Sequence, residues 1–254
     1  MFDVDGRLGP ALQWAMSPAL LSPTAYLDHL ALDVRLIGQR LADATPQTWQ
    51  AAVPACPGWT VRDVVRHLGG VHRMVAHAIQ TGTPARSAHF MPGDEVELAD
   101  WFSDGAERLL GLLDDDPARP AWSFDPEGQT LQFWQRRQAM ENVVHRVDIE
   151  AALGGMTGVP PDLAADGVSE AIEVMVRLRV DAGDLVLPPD SCVELRADDT
   201  GHTWRLGGGP VVASATGRAE QVFLVLWKRL PSVELILGGD PLAVGAILDL
   251  PLTP

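Results

Sequence analysis

Cysteine is scarce. The 254-residue chain has two, Cys56 and Cys192, too few for a disulfide framework and in neither CxxC nor zinc-finger spacing. A disulfide-stapled secreted scaffold is therefore excluded, and a reducing cytoplasm is the expected setting. Basic residues are also few: 19 Lys and Arg against 34 Asp and Glu give a net charge of −15. They are scattered along the chain, which argues against nucleic acid or an anionic membrane as a partner, since both demand a basic patch. No stretch supplies eighteen apolar residues without a charge, and MFDVDGRLGPALQWAMSPALLSP lacks the basic start and unbroken apolar run of a signal peptide. Neither a membrane span nor secretion is expected. GxSxG, GxGxxG and Walker sequences are missing, as are internal repeats and low-complexity tracts.

What is present is globular composition, 46% hydrophobic and 21% charged, over a length that suits one large or two ordinary domains. Residues 1–22 carry prolines and glycines without clean periodicity and read as an extension. Ser22-Pro23 supplies an N-cap and a first helical residue, and helical period follows to about Ala44. Thr60 with Asp63 resembles a capping box and opens a second helix to about Thr81. A third is expected within DEVELADWFSDGAERLLGLLDDD, and a fourth from Gln129 to Leu153, before Gly154-Gly155. Four such helices suggest a bundle. Beyond Gly158-Val159-Pro160-Pro161 the runs CVELRAD, TWRL, PVVASATG and SVELILGG are β-rich. Helical segments about Asp166 to Arg179, Arg218 to Arg229 and Pro241 to Leu248 accompany them. The fold class expected is α+β: an extension over 1–22, a helical bundle over 23–158 and a smaller α/β domain over 159–254.

The chemistry-bearing pattern is on the second and fourth helices. Glu141 and His145 are four residues apart, one above the other on a helix face, where a carboxylate oxygen and an imidazole nitrogen can converge on one ion. His67, beside the apolar arc of the second helix, is the candidate third ligand. Two histidines and one carboxylate leave a metal with an open position, as in catalytic sites. The fourth helix has an apolar arc of Phe133, Met140, Val143, Val144 and Val147. Gln135, Asn142, Arg146 and Glu150 read as a solvent-facing arc. Asp148, one turn after His145, is placed to accept the second ring N–H of a ligating imidazole. Cys56, in PACPGW, reads as a structural cysteine in a turn, His77 as a surface residue, and His72 as marginal.

The segments VPACPGWTVRDVVRHLGG and WQRRQAMENVVHRVDIEAALG resemble signatures of the mycothiol-dependent maleylpyruvate isomerase family. QVFLVLWKRLPSVELILGGDPLAVGAIL is similar to that family's C-terminal segment, so the resemblance covers about residues 23 to 250. It implies an up-down, DinB-like metal-binding bundle followed by a domain similar to a sterol-carrier-protein fold. By position it implies zinc ligands at His67, Glu141 and His145, and a substrate-contacting arginine at Arg229, where Lys228 stands in place of the usual glycine. The implied cosubstrate is mycothiol, the actinobacterial thiol, activated for addition to or substitution on a small electrophile. Two other classes remain open: a two-histidine, one-carboxylate Fe(II) oxygenase, and a non-catalytic small-molecule or thiol-binding protein. Substrate and oligomeric state are not legible.

Overall fold

A computed structural model describes residues 21–93 and 96–254 of the chain. All but the last two residues of the expected N-terminal extension, and the first two residues of the expected third helix, lie outside the described residues. Contacts divide the described chain into two compact units, residues 21–159 and 160–254.

The first unit is built on four long helices. Helix α1 (Pro23–Leu41) starts as expected, with Ser22 Oγ accepting from the Ala25 N–H at 3.2 Å. It stops one turn short of the expected Ala44, because Thr45 and Thr48 form a capping box that opens a short helix, α2 (Pro46–Gln50). Helix α3 (Val61–Thr81) is capped by Thr60 and Asp63 as its sequence implies, and Gly82 ends it in the left-handed conformation. Helices α4 (Leu98–Leu113) and α5 (Leu131–Leu153) complete the set. Helix α1 packs on α4 and α5, and α3 also packs on both, so the four form a four-cornered bundle. One core cluster gathers Leu30, Val75, Ile79, Leu109, Leu131 and Trp134, and another gathers Ile37, Val61, Leu68, Leu98, Phe102 and Ile149. Each such side chain contributes roughly 1.5–3 kcal/mol by leaving water.

The close approach of α3 and α4 depends on glycine. The Trp101 ring lies where a β-carbon on Gly69 would be, and the Arg73 guanidinium lies where one on Gly105 would be. Between them Arg73 stacks on the Trp101 ring at 3.9 Å and donates to Gly69 O and Trp101 O.

In the second unit, α6 (Pro161–Glu170) runs through a π-helical stretch, Ala171–Val176, into α7 (Arg177–Asp181). This helical segment begins five residues before the expected Asp166, because Pro161 is well placed at a first helical position. Strands β1 (Cys192–Ala197), β2 (Thr203–Gly207), β3 (Val211–Gly217) and β4 (Ile236–Gly239) form one sheet of order β2-β1-β3-β4. The β1 strand is antiparallel to β2 and parallel to β3, and β4 is an antiparallel edge. The SVELILGG run gives a shorter strand than its composition suggests, since Ser232–Glu234 winds into a 3₁₀ turn. Helices α8 (Ala219–Leu226) and α9 (Pro241–Leu248) pack on the sheet, and α6 packs on α8. Among the described residues no helix is long and apolar enough to cross a membrane.

Adding a methyl group at Gly69 must displace Trp101 and the guanidinium stacked on it. Gly69→Ala is expected to destabilise the protein by about 1–3 kcal/mol through overpacking, whereas alanine at exposed Gly111, where nothing lies within 4 Å, is expected to be neutral or stabilising. Denaturant unfolding of the two variants checks this, and equal stabilities would contradict the packing role.

Candidate metal centre

The site begins in the turn before α3. Val53 N–H donates to Trp59 O, Cys56 N–H to Val53 O, and Trp59 N–H to Cys56 O, which closes the loop on itself. Gly58 takes a φ of 82°, a left-handed value that favours glycine. The turn delivers Trp59 against α3, its ring 5.3 Å from that of His67.

Helix α5 supplies the other side. His67 Nε2 lies 3.0 Å from Glu141 Oε1, and His145 Nε2 lies 3.5 Å from the same oxygen. The two imidazole rings are 4.9 Å apart at 71°. One ligand atom from each of the three residues falls within 4.8 Å of the others. Donors about 2.0–2.1 Å from a tetrahedral ion are roughly 3.3 Å apart, so the spacing and the N, N, O donor set fit a single divalent metal. Side-chain exposure falls from 29% at His67 to 15% at Glu141 and 11% at His145, so the cluster opens toward solvent on the His67 side.

The surrounding groups fix its protonation. Asp148 Oδ2 accepts from His145 Nδ1 at 2.9 Å, which leaves the Nε2 lone pair directed at the cluster when the ring is neutral. Cys56 Sγ donates to the same aspartate oxygen at 3.6 Å, so the cysteine of the turn lies behind a candidate ligand and is not one of the three. Arg137, one turn before Glu141, pairs with Glu141 Oε2 and leaves Oε1 for the histidines. Burial opposes ionisation of Glu141, but Arg137 and the two histidines outweigh it and hold the carboxyl well below its ordinary range. Burial likewise opposes charge on His145, yet Asp148 and Glu141 raise it to about 9.

Other sequence candidates fall elsewhere. His72 is fully buried; its Nε2–H donates to Asn142 Oδ1 at 3.0 Å, while Asn142 Nδ2–H donates to Gln138 O. His77 is half-buried and bonds with Thr83 Oγ1. The arc read as solvent-facing is not: Gln135, Asn142, Arg146 and Glu150 are each at most 1% exposed, because each meets a hydrogen-bonding partner on a neighbouring segment or turn. Arg229 belongs to the second unit, where its Nη1 donates to Trp227 O. Lys228 before it has a φ of 61°, the described non-glycine residue in the left-handed region, and its ammonium donates to Leu248 O. That conformation accounts for a glycine preference there. Arg137 was missed in the sequence, although its i, i+4 spacing from Glu141 is a readable signal.

Fold and site together define a two-part protein that carries a two-histidine, one-carboxylate, metal-capable set on a helical bundle and adds a small α/β domain. The family model of the mycothiol maleylpyruvate isomerase N-terminal domain matches residues 31–150, and that of the MDMPI C-terminal domain matches residues 162–246. The chain belongs to the mycothiol-dependent maleylpyruvate isomerase family of enzymes. It is similar to the crystal structure of the mycothiol-dependent maleylpyruvate isomerase, with a TM-score of 0.67 and 13% identity over 88% of this chain and 97% of that one. A histidine-to-alanine mutant of the isomerase gives 0.64 and 12% over the same shares. At these identities the likeness shows the fold. No curated protein matches the chain by sequence.

The buried His72 gives the fold a pH dependence. Burial, only partly offset by Asn142, lowers its pKa from 6.5 to about 4. Its contribution is therefore complete above about 6.5 and is lost as pH falls from there through about 4, by up to about 3 kcal/mol. His72→Gln, whose amide can still donate to Asn142, is expected to lose less stability than wild type between pH 7 and 4.5 in urea unfolding. Equal losses would show that another group titrates.

Proposed function

We propose that this protein is a divalent-metal enzyme, with zinc held by His67, Glu141 and His145, that activates the thiol of mycothiol for attack on a small electrophile. The observation that carries the reading is the triad itself: three donors at metal-compatible spacing, with a side that opens to solvent. When bound, the ion supplies an open Lewis-acid position at which a thiol is held deprotonated near neutral pH. The chain's own residues do the rest. Asp148 keeps His145 in the tautomer that presents Nε2, and Arg137 holds Glu141 to one coordinating oxygen and keeps it ionised. Trp59 and the turn around it wall one side of the opening.

A thiolate adding to a conjugated carbonyl compound forms a C–S bond while the π pair moves to the carbonyl oxygen. The former double bond then rotates, and expulsion of the thiolate restores it, which is cis–trans isomerisation. The activity in the family's name, mycothiol-dependent isomerisation of maleylpyruvate, is of this kind, and we take isomerisation as the first reading and thiol transfer as its variant. Arg229 is proposed to contact an anionic group of the substrate, as the resemblance of its segment implies, since a planar guanidinium holds a carboxylate by two parallel bonds. The setting proposed is the cytoplasm, where two cysteines outside any disulfide persist.

Metal analysis and cobalt spectroscopy test this. Wild type and His77→Ala are expected to bind one metal per chain, while His67→Ala and His145→Ala lose most of it. Arg137→Gln is expected to weaken metal binding about 10- to 100-fold, as loss of a group that orients a ligand does. The Co²⁺ form is expected to gain a sulfur-to-metal charge-transfer band on adding mycothiol, and Glu141→Gln to blunt it. No band at saturating thiol, with undiminished turnover in its absence, sinks thiol activation; oxygen consumption by an Fe²⁺ form would point to an oxygenase.

A further inference from the structure

On the open side of the triad lies a pocket of about 410 Å³ lined by Gly58, Trp59, Asp63, Arg66, His67 and Met91. Its walls are an indole and a thioether, and its one cation is Arg66, the residue before His67 on α3. The other arginines of the bundle core and of the α3–α4 contact are committed: Arg73 to two backbone carbonyls and the Trp101 ring, Arg137 to Glu141, and Arg146 to Asp33 and Glu150. Arg66 makes no hydrogen bond among the described residues, and its charge helps to hold the carboxyl of Asp63, one turn earlier on α3, below its ordinary range. The pocket's carboxylate, Asp63, is itself engaged, since its Oδ2 accepts from Thr60 N–H at 2.8 Å and Thr60 Oγ1 at 2.6 Å. A guanidinium whose donors have no hydrogen-bond acceptor among the described residues, in a small pocket beside a metal-capable triad, presents a planar fork of donors to whatever approaches the open position.

We infer that Arg66 is a specificity-determining residue: it holds a carboxylate of the electrophile in the Trp59–Met91 pocket and so selects unsaturated carboxylic acids over their neutral counterparts. This rests on the thiol-addition reading of the triad and assigns the carboxylate a donor on the metal-bearing unit, separate from Arg229. The alternative occupant of the pocket is the neutral, hydroxyl-rich part of the thiol, and the test distinguishes the two. Zinc-loaded wild type, Arg66→Gln and Arg66→Lys are titrated by calorimetry with maleate, with its neutral diamide maleamide, and with inositol. Arg66→Gln is expected to weaken maleate about 10- to 100-fold, Arg66→Lys to restore part of that, and maleamide to bind all three proteins alike. Maleate that fails to bind wild type, or binds wild type and Arg66→Gln within about twofold, overturns the assignment. So does inositol binding that disappears in Arg66→Gln while maleate binding stays. Zinc content, thermal midpoint and the cobalt–thiol band are measured on the same variants, and all three are expected to be unchanged by Arg66→Gln. A missing thiol band in wild type would remove the thiol chemistry while leaving the carboxylate result to stand or fall by itself.

Discussion

The first unit depends on one constraint: α5 is buried on nearly every side yet carries polar residues on nearly every side. Gln135, Arg137, Gln138, Asn142, His145, Arg146, Asp148 and Glu150 are all buried. A buried polar group costs free energy unless a partner answers it, and a buried charge costs more. The helix is therefore stable only where its neighbours supply the matching groups. Leu113 O on α4 accepts from Gln135, His72 on α3 meets Asn142, and Asp33 on α1 meets Arg146. Each bond fixes one neighbour's height along α5. His67 reaches Glu141 because α3, already registered through His72, has no other height to adopt.

The Arg146 cluster shows what this arrangement costs. One guanidinium serves two carboxylates, Asp33 and Glu150, each at 2.7 Å, and also donates to Thr157 O. Asp33 Oδ2 and Glu150 Oε1 have no hydrogen-bond partner among the described residues. Burial accordingly pushes the Asp33 carboxyl up to about 6 in spite of the attraction of Arg146. A buried ion cluster of this kind adds little net stability, because desolvation consumes most of the Coulomb gain, but it penalises every alternative register in which one member is left unpaired. The same guanidinium, with the Thr157 N–H bonded to Glu150 at 2.8 Å, ties down the segment that follows α5. Stability in this unit comes from the two apolar clusters, and uniqueness comes from the polar helix between them.

Features governed by local chemistry were legible in the sequence. The Thr60–Asp63 cap, the Ser22-Pro23 helix start, the i, i+4 spacing of Glu141 and His145, and the grammar of β1 to β3 depend on residues close together in the chain. The Asp148 contact to His145 was legible for the same reason, being one turn away on one helix. What could not be read depends on partners distant in sequence. Arg146 and Glu150 look like a solvated face because periodicity sorts side chains by polarity and contains no information about Asp33, more than a hundred residues upstream. The short α2 was hidden because Thr48 is an unusual third member of a capping box. The π-helical turn at Ala171–Val176 has no local signature, and the left-handed backbone at Lys228 is contrary to what its side chain suggests.

Two arginines flank the candidate ligands, Arg66 before His67 and Arg146 after His145, and their different fates separate the two tasks of the site. Arg146 turns inward and is fully committed, so altering it disturbs the helix that carries Glu141 and His145. Arg66 turns to a pocket wall formed with Trp59 and Met91, outside the buried network, so substitution there leaves the polar contacts of α5 in place. The height of the triad thus depends on residues whose loss is costly to folding, whereas the pocket wall beside it is formed by residues outside the buried network. In a scaffold arranged this way, the pocket wall can be changed while the spacing of the three candidate ligands is retained.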